Sequence, residues 1–369
     1  MQGLLCPLIG KNFKEYIQRY LHKFLFLKSF CNLIVIFEFM KKIVVLLLLP
    51  LFSFSQVDKK YNSKEELFTV FYNLENLFDT IDSPNTSDSE FLPTSRKQWD
   101  TYKYNHKLSQ LTKVFSSIIE TENNNDMPDI IGLCEVENRL VINDLLSASI
   151  FANQDYTIVH QDSPDSRGID CALLFNNKFQ ILEYDFIAID NPALSRPTRD
   201  IVYAKLKFKD RVFNVFVNHW PSRWGGQLET NHKRVFVSKV LRDYIDTNIS
   251  EDEYTLIMGD FNDYPSNESL ANVLVKEDLV NLMATDLVFG QGSYNYRGDW
   301  NWLDQIIVSN NFRDSNVQLL SVGSFKKDFM MYRNKKGEMY PSRSFGGNTW
   351  YAGFSDHLPI YFRLSFLSF

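Results

Sequence analysis

Short apolar runs alternate with amphipathic segments along most of the chain from residue 67 onward. Runs rich in aromatic and β-branched residues predict strands, whereas apolar residues at helical spacing predict helices. The predicted helices are 99–121 and 228–246. The predicted strands are 67–72, 129–134, 171–175, 201–208, 212–217, 254–258, 302–309 and 357–364. Because a hairpin turn at Lys209-Asp210 joins two strands and helices interrupt others, the pattern indicates α+β layering rather than a doubly wound sheet.

Two polar stretches, 80–97 and 325–354, interrupt this pattern. The second carries basic residues among aromatic ones, so it is either a solvated surface loop or a loop that touches a polyanionic substrate. Five tryptophans lie near the loops that follow the strands: Trp220, Trp224, Trp300, Trp302 and Trp350. We interpret them as packing residues, with contact to a membrane surface or a nucleobase as the alternative.

The residues before Gln56 have the pattern of an export signal. A basic start at residues 40–42, an apolar run at 43–54 and small residues before Gln56 predict a signal peptide at 40–55. The apolar run is shorter than the roughly 20 residues that span a bilayer, and an uncleaved anchor is the alternative. Residues 1–39 are then an over-called extension ahead of the true start, and 56–369 form a single domain. We expect that domain to be secreted, periplasmic or held at the cell surface.

Composition and charge narrow the class of protein. Among 369 residues, 44% are hydrophobic and 23% charged, which excludes a disordered or collagen-like chain. The net charge is −6, but it becomes −11 without the first 56 residues, which hold seven basic and two acidic side chains. At this charge, binding of nucleic acid requires a locally basic cleft. Cys134 and Cys171 remain in the domain, either as two buried thiols or as one disulfide.

Polar and ionisable residues follow the points at which the apolar strands end. A strand end holds a side chain rigidly in a crevice, so their recurrence there indicates a site. Hard carboxylate and carboxamide oxygens suit Mg²⁺, Mn²⁺ or Ca²⁺, and the scarcity of Cys and His argues against a zinc cluster. The residues concerned are Asn73, Glu75, Glu135, Asn218, His219, Arg223, Asp260, Asn262, Asp304, Asp356 and His357.

The order and the residues of these segments resemble the motifs of the endonuclease/exonuclease/phosphatase family. This family includes pancreatic deoxyribonuclease, abasic-site endonucleases, inositol polyphosphate phosphatases and bacterial sphingomyelinases. The likeness runs from about Leu67 to Leu364 and includes Gly-Asp-Phe-Asn-Asp at 259–263 and Ser-Asp-His at 355–357. It implies a four-layer αββα sandwich, in which two mixed β-sheets pack face to face and helices cover the outer faces.

The resemblance also implies a metal site and a catalytic set. Glu135 is expected to bind the ion, with Glu75 and Asp356 near it, and Mg²⁺ is the expected ion, with Mn²⁺ or Ca²⁺ as alternatives. The expected catalytic residues are Asn73, His219, Asp260, Asn262, Asp304 and His357.

Each catalytic residue has an implied role. His219 matches the residue that contacts the scissile phosphate. Asp260 orients or deprotonates water, and Asn262 holds a phosphate oxygen. His357 donates to the phosphate, and Asp304 fixes its orientation and raises its pKa.

Four further residues bear on the substrate, three as expected contacts and one as a departure from the family. Arg167, Asn218 and Arg223 are expected to contact the substrate. Gln305 departs from the family, because many members have an aromatic residue or a histidine there, so the leaving-group side of the site is expected to differ from that of the nucleases.

These inferences predict a secreted, divalent-metal-dependent phosphodiesterase, an endonuclease that hydrolyses DNA or RNA by attack of water on phosphorus. A phosphatase or phospholipase acting on a small or lipid phosphoester is the alternative. A non-catalytic binding protein on the same fold is a third hypothesis, which the complete set of catalytic residue types disfavours. The expected partner is a nucleic-acid substrate, and we expect a monomer without an obligate protein partner.

Overall fold

The computed structural model describes residues 65–84, 86–123, 126–190 and 196–367 of the chain. The predicted extension at 1–39 and the predicted signal peptide at 40–55 lie outside the described residues, so both stay predictions. In the described ranges, no helix is long and apolar enough to cross a membrane.

Six strands form the first of two large sheets: β1 (Glu65–Leu77), β2 (Ile130–Val136), β3 (Tyr156–Val159), β4 (Asp170–Asn176), β13 (Val317–Ser324) and β18 (Ile360–Phe366). Their order across the sheet is β13-β18-β1-β2-β4-β3. The strands β1 and β2 are parallel, and the other neighbouring pairs are antiparallel. The sheet is therefore mixed, as predicted.

The second large sheet also has six strands: β5 (Gln180–Ile187), β6 (Ile201–Phe208), β7 (Arg211–His219), β8 (Tyr254–Asp260), β9 (Leu279–Asn281) and β12 (Asp304–Ser309). Their order is β5-β6-β7-β8-β12-β9, with only β7 and β8 parallel among the described pairs. Three small hairpins lie outside the large sheets: β10 (Tyr294–Tyr296) with β11 (Asp299–Asn301), β14 (Met331–Arg333) with β15 (Met339–Pro341), and β16 (Phe345–Gly346) with β17 (Thr349–Trp350).

In the described ranges, three α-helices accompany the sheets: α1 (Thr101–Glu122), α2 (Arg139–Leu146) and α3 (Gln227–Asn248). Asp100 begins α1 by accepting the N–H of Lys103, and Asn138 begins α2 in the same manner. Short 3₁₀ or π turns occupy Ser89–Phe91, Ser269–Leu274, Leu282–Ala284, Asp286–Val288, Asn310–Arg313 and Asp328–Met330.

Three apolar clusters define the layers. One lies between the sheets, where Phe71 of the first sheet packs with Val215 and Met258 of the second. Gly132 is required at this interface, since a Cβ there would lie 2.8 Å from the sulfur of Met258. The other clusters join α1 and α2 to the first sheet and α3 to the second. The predicted four-layer αββα sandwich is confirmed.

The eight predicted strands and both predicted helices are present, with ends that differ by at most five residues. Several elements were not predicted, among them α2, β3, β5, β9 and β13. The side chains of β5 are mostly exposed, so this strand lacks the apolar alternation that marks a half-buried strand.

The stretch 325–354 differs from one of its two predicted forms. It is not a solvated surface loop throughout, because parts of it are regular and buried. It holds two of the small hairpins, and Phe325, Met330, Phe345 and Phe354 are buried in the apolar cluster beneath α1. Its lysines and arginines conceal this apolar content when the sequence is read for average polarity.

Cys134 and Cys171 are both buried and both free thiols. They lie opposite each other on the neighbouring strands β2 and β4. The two-thiol interpretation therefore agrees with the structure, and the disulfide does not.

Candidate active site

The predicted residues converge because several strands end at the same edge of the sandwich. Asn73 lies near the end of β1, and Asp260 is the last residue of β8. In the second sheet, Asp260 is paired with His219 of β7 on one side and with Asp304 of β12 on the other. His357 comes just before β18, so it reaches the same edge from the first sheet.

His357 and Asp304 form the closest ion pair of the cluster. Nδ1 of His357 lies 2.6 Å from Oδ2 of Asp304, and both side chains are buried. Burial alone would lower the pKa of His357, but the carboxylates of Asp304 and Asp260 outweigh it and hold the pKa well above its usual value. The imidazole is therefore cationic at neutral pH, with Nε2 3.8 Å from Oδ2 of Asp260.

Asp260 is held in place by two donors. Nδ2 of Asn73 donates to Oδ2 of Asp260 at 3.0 Å, and the backbone N–H of Asn262 donates to Oδ1 at 2.9 Å. Burial raises the pKa of Asp260 to about 7, although the charge of His357 acts in the opposite direction. A carboxyl group with this pKa is suited to accept a proton near neutral pH.

His219 lies between two carboxylates. Its Nε2 is 3.7 Å from Oδ2 of Asp260 and 3.8 Å from Oε1 of Glu135. Burial, followed by the charge of Arg199, lowers the pKa of His219 well below its usual value, so the ring is neutral. Its Nδ1 is buried without a hydrogen-bond partner among the described residues.

The backbone is strained where β1 and β2 reach the site. Glu75, Asn76 and Glu135 have φ values of 50°, 55° and 60°, in the left-handed region that non-glycine residues rarely adopt. The backbone N–H of Asn76 donates to Oε2 of Glu135 at 2.9 Å, which ties the two strand ends together. Strain of roughly 1–3 kcal/mol per residue persists where the surrounding structure fixes the conformation, as happens at functional sites.

Glu75 and Asp356 lie among cations that the sequence analysis did not identify. Nζ of Lys107 lies 3.8 Å from Oε2 of Glu75, and Arg343 contacts both Glu75 and Asp356. Burial, reinforced by Asp356, raises the pKa of Glu75 to about 7. Lys107 lies within the predicted helix 99–121, and its helical spacing from Leu111 and Val114, which places it on the buried face, is the sequence signal that could have identified it.

Arg167 reaches the site, whereas Asn218 does not. The guanidinium of Arg167 contacts the side-chain oxygen of Asn76 and lies 4.0 Å from Glu135. Asn218 is fully buried, and its side-chain oxygen accepts the indole N–H of Trp220 at 3.0 Å. The structure therefore leaves Asn218 no surface with which to contact a substrate.

Arg223 is occupied by the loop that follows β8. It donates to the backbone oxygen of Asn262 at 2.7 Å, to Asp263 at 3.1 Å and to Asn267 at 2.7 Å. Its guanidinium also stacks on the ring of Tyr264 at 3.8 Å. These contacts indicate that Arg223 fixes the loop of Asn262 rather than facing outward.

Asn262 and Gln305 are also held by internal contacts. The side-chain amide of Asn262 donates to the backbone oxygen of Trp220 at 3.0 Å. Gln305 is fully buried, and its amide donates to the backbone oxygen of Asp263 at 2.7 Å. The departure from the family at Gln305 thus lies inside the protein, away from the surface that a leaving group would contact.

The donor chemistry of the site suits a hard divalent cation. Glu75, Glu135 and Asp356 supply carboxylate oxygens at the strand ends, and burial followed by the charge of Asp356 raises the pKa of Glu75. Oδ1 of Asp304 is buried without a partner in the described part of the chain. At this site, Asp260, Asp304 and His357 offer ligand atoms that lie within 4.8 Å of one another. The three predicted metal ligands, Glu75, Glu135 and Asp356, do not form a group of this kind. The assignment of Glu75, Glu135 and Asp356 to a metal stays a prediction.

Comparisons with known proteins agree with this geometry. A family model described as the Endonuclease/Exonuclease/phosphatase family matches residues 68–365. No match was found among curated proteins.

Solved structures with the same fold include TDP2 from D. rerio in complex with a single-strand DNA product, at a TM-score of 0.51 and 14% identity, covering 81% of this chain and 99% of that one. An endonuclease/exonuclease/phosphatase family protein from Bacteroides thetaiotaomicron matches with a TM-score of 0.51 and 16% identity, over 83% and 99% of the two chains. A mannosyl-6-phosphatase from the same organism matches with a TM-score of 0.50 and 16% identity, over 81% and 100%. At these identities the likeness shows the fold alone.

Proposed function

The chain belongs to the endonuclease/exonuclease/phosphatase family, whose enzymes are divalent-metal-dependent hydrolases of phosphoesters, and we propose that it is an exported phosphodiesterase that cleaves DNA or RNA. The main support for hydrolysis of a phosphoester is a buried series of contacting side chains, Asn73, Asp260, His357 and Asp304. Each member lies within 3.8 Å of the next.

Asp260 is the proposed general base. Its pKa of about 7 leaves a substantial unprotonated fraction at neutral pH. In the proposed step, water forms a bond to phosphorus while the bond to the leaving oxygen breaks, and the proton of water passes to Asp260. The amide of Asn73 holds Oδ2 of Asp260 in position for this transfer.

His357 supplies positive charge where negative charge develops. Because Asp304 holds it protonated, its Nε2–H can donate to a non-bridging phosphate oxygen in the transition state. Neutral His219 adds a second buried imidazole beside Asp260. A divalent ion bound by Glu135, with Glu75 and Asp356, would stabilise charge on the phosphate and on the leaving oxygen.

Two hollows that both border Arg343 support a polymeric substrate. One, of about 310 Å³, is bordered by Glu75, Lys97 and Trp99. The other, of about 330 Å³, is bordered by Tyr294, Tyr332 and Asp356. A chain that continues past the scissile phosphate would occupy these hollows, and the rings of Tyr294 and Tyr332 in the second hollow provide surfaces on which bases stack.

A substrate panel tests the proposal. Plasmid DNA, RNA, an inositol polyphosphate and phospholipid vesicles are incubated with the protein in Mg²⁺, Mn²⁺, Ca²⁺ or chelator. We expect cleavage of DNA or RNA that requires the metal and is lost in His357→Ala. If the nucleic acids remain intact while another phosphoester is cleaved, the nuclease assignment is wrong and the hydrolase assignment stands.

A phosphatase on a small phosphoester is the second candidate. The hollow beside Tyr294 and Asp356 falls within the size range of small-molecule pockets and contains Arg343, which can bind a phosphate. Comparison of p-nitrophenyl phosphate with bis(p-nitrophenyl) phosphate separates the two candidates. The nuclease proposal requires the diester to be hydrolysed faster.

Export rests on the sequence pattern before Gln56 and is tested separately. The full-length gene is expressed in a Gram-negative host, and the N-terminus of the protein recovered outside the cytoplasm is sequenced. We expect it to begin at Gln56. An intact N-terminus in the cytoplasm would contradict the signal-peptide proposal and leave the hydrolase proposal unaffected.

A further inference from the structure

A second group of potential metal ligands lies in the segment between β3 and β4. His160, Asp162 and Asp170 each offer a ligand atom, and these atoms lie within 4.8 Å of one another. The group shares no residue with the series at Asp260. It borders a hollow of about 400 Å³ that also contains Glu137 and Asp165.

His160 is the feature that distinguishes this group from an ordinary acidic cluster. Its side chain is only 2% exposed, yet its Nε2 has no hydrogen-bond partner in the described residues. That nitrogen lies 3.6 Å from Oδ2 of Asp170, which is too far for a hydrogen bond. An unpaired polar atom at this depth carries a free-energy penalty unless a ligand satisfies it.

The two carboxylates are arranged to share a cation. The backbone N–H of Ser163 donates to Oδ1 of Asp170 at 2.9 Å, which leaves Oδ2 directed toward His160. Beyond the last paired residues, Val159 and Leu173, the chain brings a carboxylate oxygen of Asp162 within 4.8 Å of one of Asp170. Like charges this close repel each other.

In the described ranges, neither Asp162 nor Asp170 forms an ion pair with a lysine or an arginine. Asp200 accepts a hydrogen bond from Gln161 at 3.2 Å through Oδ2, and its Oδ1 is buried without a partner in the described ranges. A bound cation would relieve this imbalance.

We propose that His160, Asp162 and Asp170 bind a divalent transition-metal ion of the Zn²⁺ type. Imidazole nitrogen suits Zn²⁺ better than Mg²⁺ or Ca²⁺, and carboxylate oxygens are accepted by Zn²⁺ as well. With metal–ligand distances of about 2.0–2.2 Å, two ligands of a tetrahedral ion lie roughly 3.4 Å apart. The separation of 3.6 Å between His160 and Asp170 fits this value without a large movement. The exposed side chain of Asp162 gives the ion a path from solvent.

The ion would fix the segment that carries Arg167 to the catalytic site. In that segment, Asp165 accepts the backbone N–H of Arg167 at 2.9 Å and an N–H of the buried Arg199 at 3.1 Å. Arg167 in turn lies 4.0 Å from Glu135. The site thus has a structural role in holding the loop and a positioning role for Arg167.

Calorimetry tests the proposal without a substrate, so the result does not depend on nuclease activity. Protein stripped with chelator is titrated with Zn²⁺ in excess Mg²⁺, and its thermal unfolding is recorded with and without Zn²⁺. We expect one equivalent of Zn²⁺ to bind, with a higher unfolding midpoint, and Glu135→Gln to retain this binding. Asp162→Asn should weaken the affinity at least tenfold, and His160→Gln should abolish binding.

The matched control is Asp155→Asn, which makes the same change at an exposed acid just before β3 and should bind Zn²⁺ as the wild type does. Asp162 is exposed, so its substitution keeps the test valid if His160→Gln fails to fold. The proposal is overturned if Asp162→Asn binds Zn²⁺ with wild-type affinity, or if Glu135→Gln removes all Zn²⁺ binding.

Discussion

At the residue scale, the site depends on the different environments of its two buried histidines. His357 faces Asp304 and Asp260 and is cationic, whereas His219 is neutral, with burial and the charge of Arg199 as the main causes. Similar side chains thus acquire different charges, which allows one to stabilise an anion and the other to act as a neutral donor or acceptor.

Substitution Asp304→Asn should separate the charge of His357 from its position. The amide keeps the approximate shape but removes the carboxylate that raises the pKa of His357, so the protonated form is lost at a lower pH. We expect kcat to fall on the order of 10²–10³-fold and the alkaline limb of the pH–rate profile to move to lower pH. An unchanged alkaline limb would show that His357 does not act as the cation.

The raised pKa of Glu75 predicts a dependence of stability on pH. The folded chain holds the proton up to about pH 7, whereas the unfolded chain releases it near 4.5. Between these values the folded state binds more protons, so the free energy of unfolding falls as pH rises, by on the order of 3 kcal/mol at most, and is level above pH 7.

Urea unfolding of metal-free protein between pH 4 and 8 measures this effect. Because burial also raises the pKa of Asp260, the comparison is made between the wild type and Glu75→Gln. We expect the wild type to lose stability relative to the variant across this window. Parallel curves for the two proteins would contradict the raised pKa of Glu75.

The residues that were predicted in the site share one local signal, the end of an apolar strand, whereas the residues that were missed do not lie at a strand end. Asn73, Asp260 and Asp304 occur where an apolar strand stops or starts, which can be read from the sequence alone. Lys107 and Arg343 come from the middle of a helix and from a loop, and only tertiary packing brings them to Glu75. The internal contacts of Asn218 were unpredictable for the same reason.

At the element scale, the helix α1 contributes a buried cation to the site as well as an apolar face to the core. Lys107 extends from its buried side, where Nζ donates to Ser344 at 2.6 Å and to the backbone oxygen of Phe354 at 2.5 Å. The same ammonium lies 3.8 Å from Glu75. One helix residue therefore connects the end of β1 to the segment 344–354.

Replacement of this buried cation should destabilise the fold. In Lys107→Met the carboxylate of Glu75 loses a partner, so we expect a decrease of about 3–5 kcal/mol in the free energy of unfolding. Denaturant unfolding measures it, and Lys239→Met, at an exposed position of α3, is the control with an effect within about 0.5 kcal/mol. Equal effects of the two substitutions would show that the buried pair contributes nothing.

The elements themselves illustrate what hydrophobic periodicity can and cannot show. Strands buried on both faces, such as β8, are predicted almost to the residue, because the run from Tyr254 to Met258 is apolar except for Thr255. The exposed edge strand β5 has no such pattern. The hairpins within 325–354 are not predicted from hydrophobic periodicity, because the aromatic residues of this stretch lie among lysines and arginines.

At the scale of the whole molecule, the acid excess and the proposed substrate are compatible because cations lie beside the acids of the site. Part of the net −11 carried by residues 57–369 belongs to the acids gathered at the strand ends, where a divalent ion would offset them. Lys97, Arg167 and Arg343 are the cations placed around these acids. Binding to nucleic acid should therefore involve few phosphate contacts.

The dependence of binding on salt tests this distribution. With about three cations at the site, the logarithm of the DNA affinity should fall with the logarithm of salt concentration at a slope of roughly −3. Fluorescence anisotropy between 50 and 200 mM salt is measured on the inactive Asp260→Asn variant. Arg343→Ala should reduce the slope by about one, and an unchanged slope would place the phosphate contacts elsewhere.

The central claim, that a metal-dependent phosphoester hydrolase is built on Asp260 and His357, is tested most directly by single-turnover hydrolysis of bis(p-nitrophenyl) phosphate. Wild type, Asp260→Asn and the control Asp155→Asn are compared in Mg²⁺ and in chelator. We predict hydrolysis by the wild type and the control in Mg²⁺ only, with the rate for Asp260→Asn lower by on the order of 10²–10⁴-fold. Wild-type rates in Asp260→Asn would contradict the account.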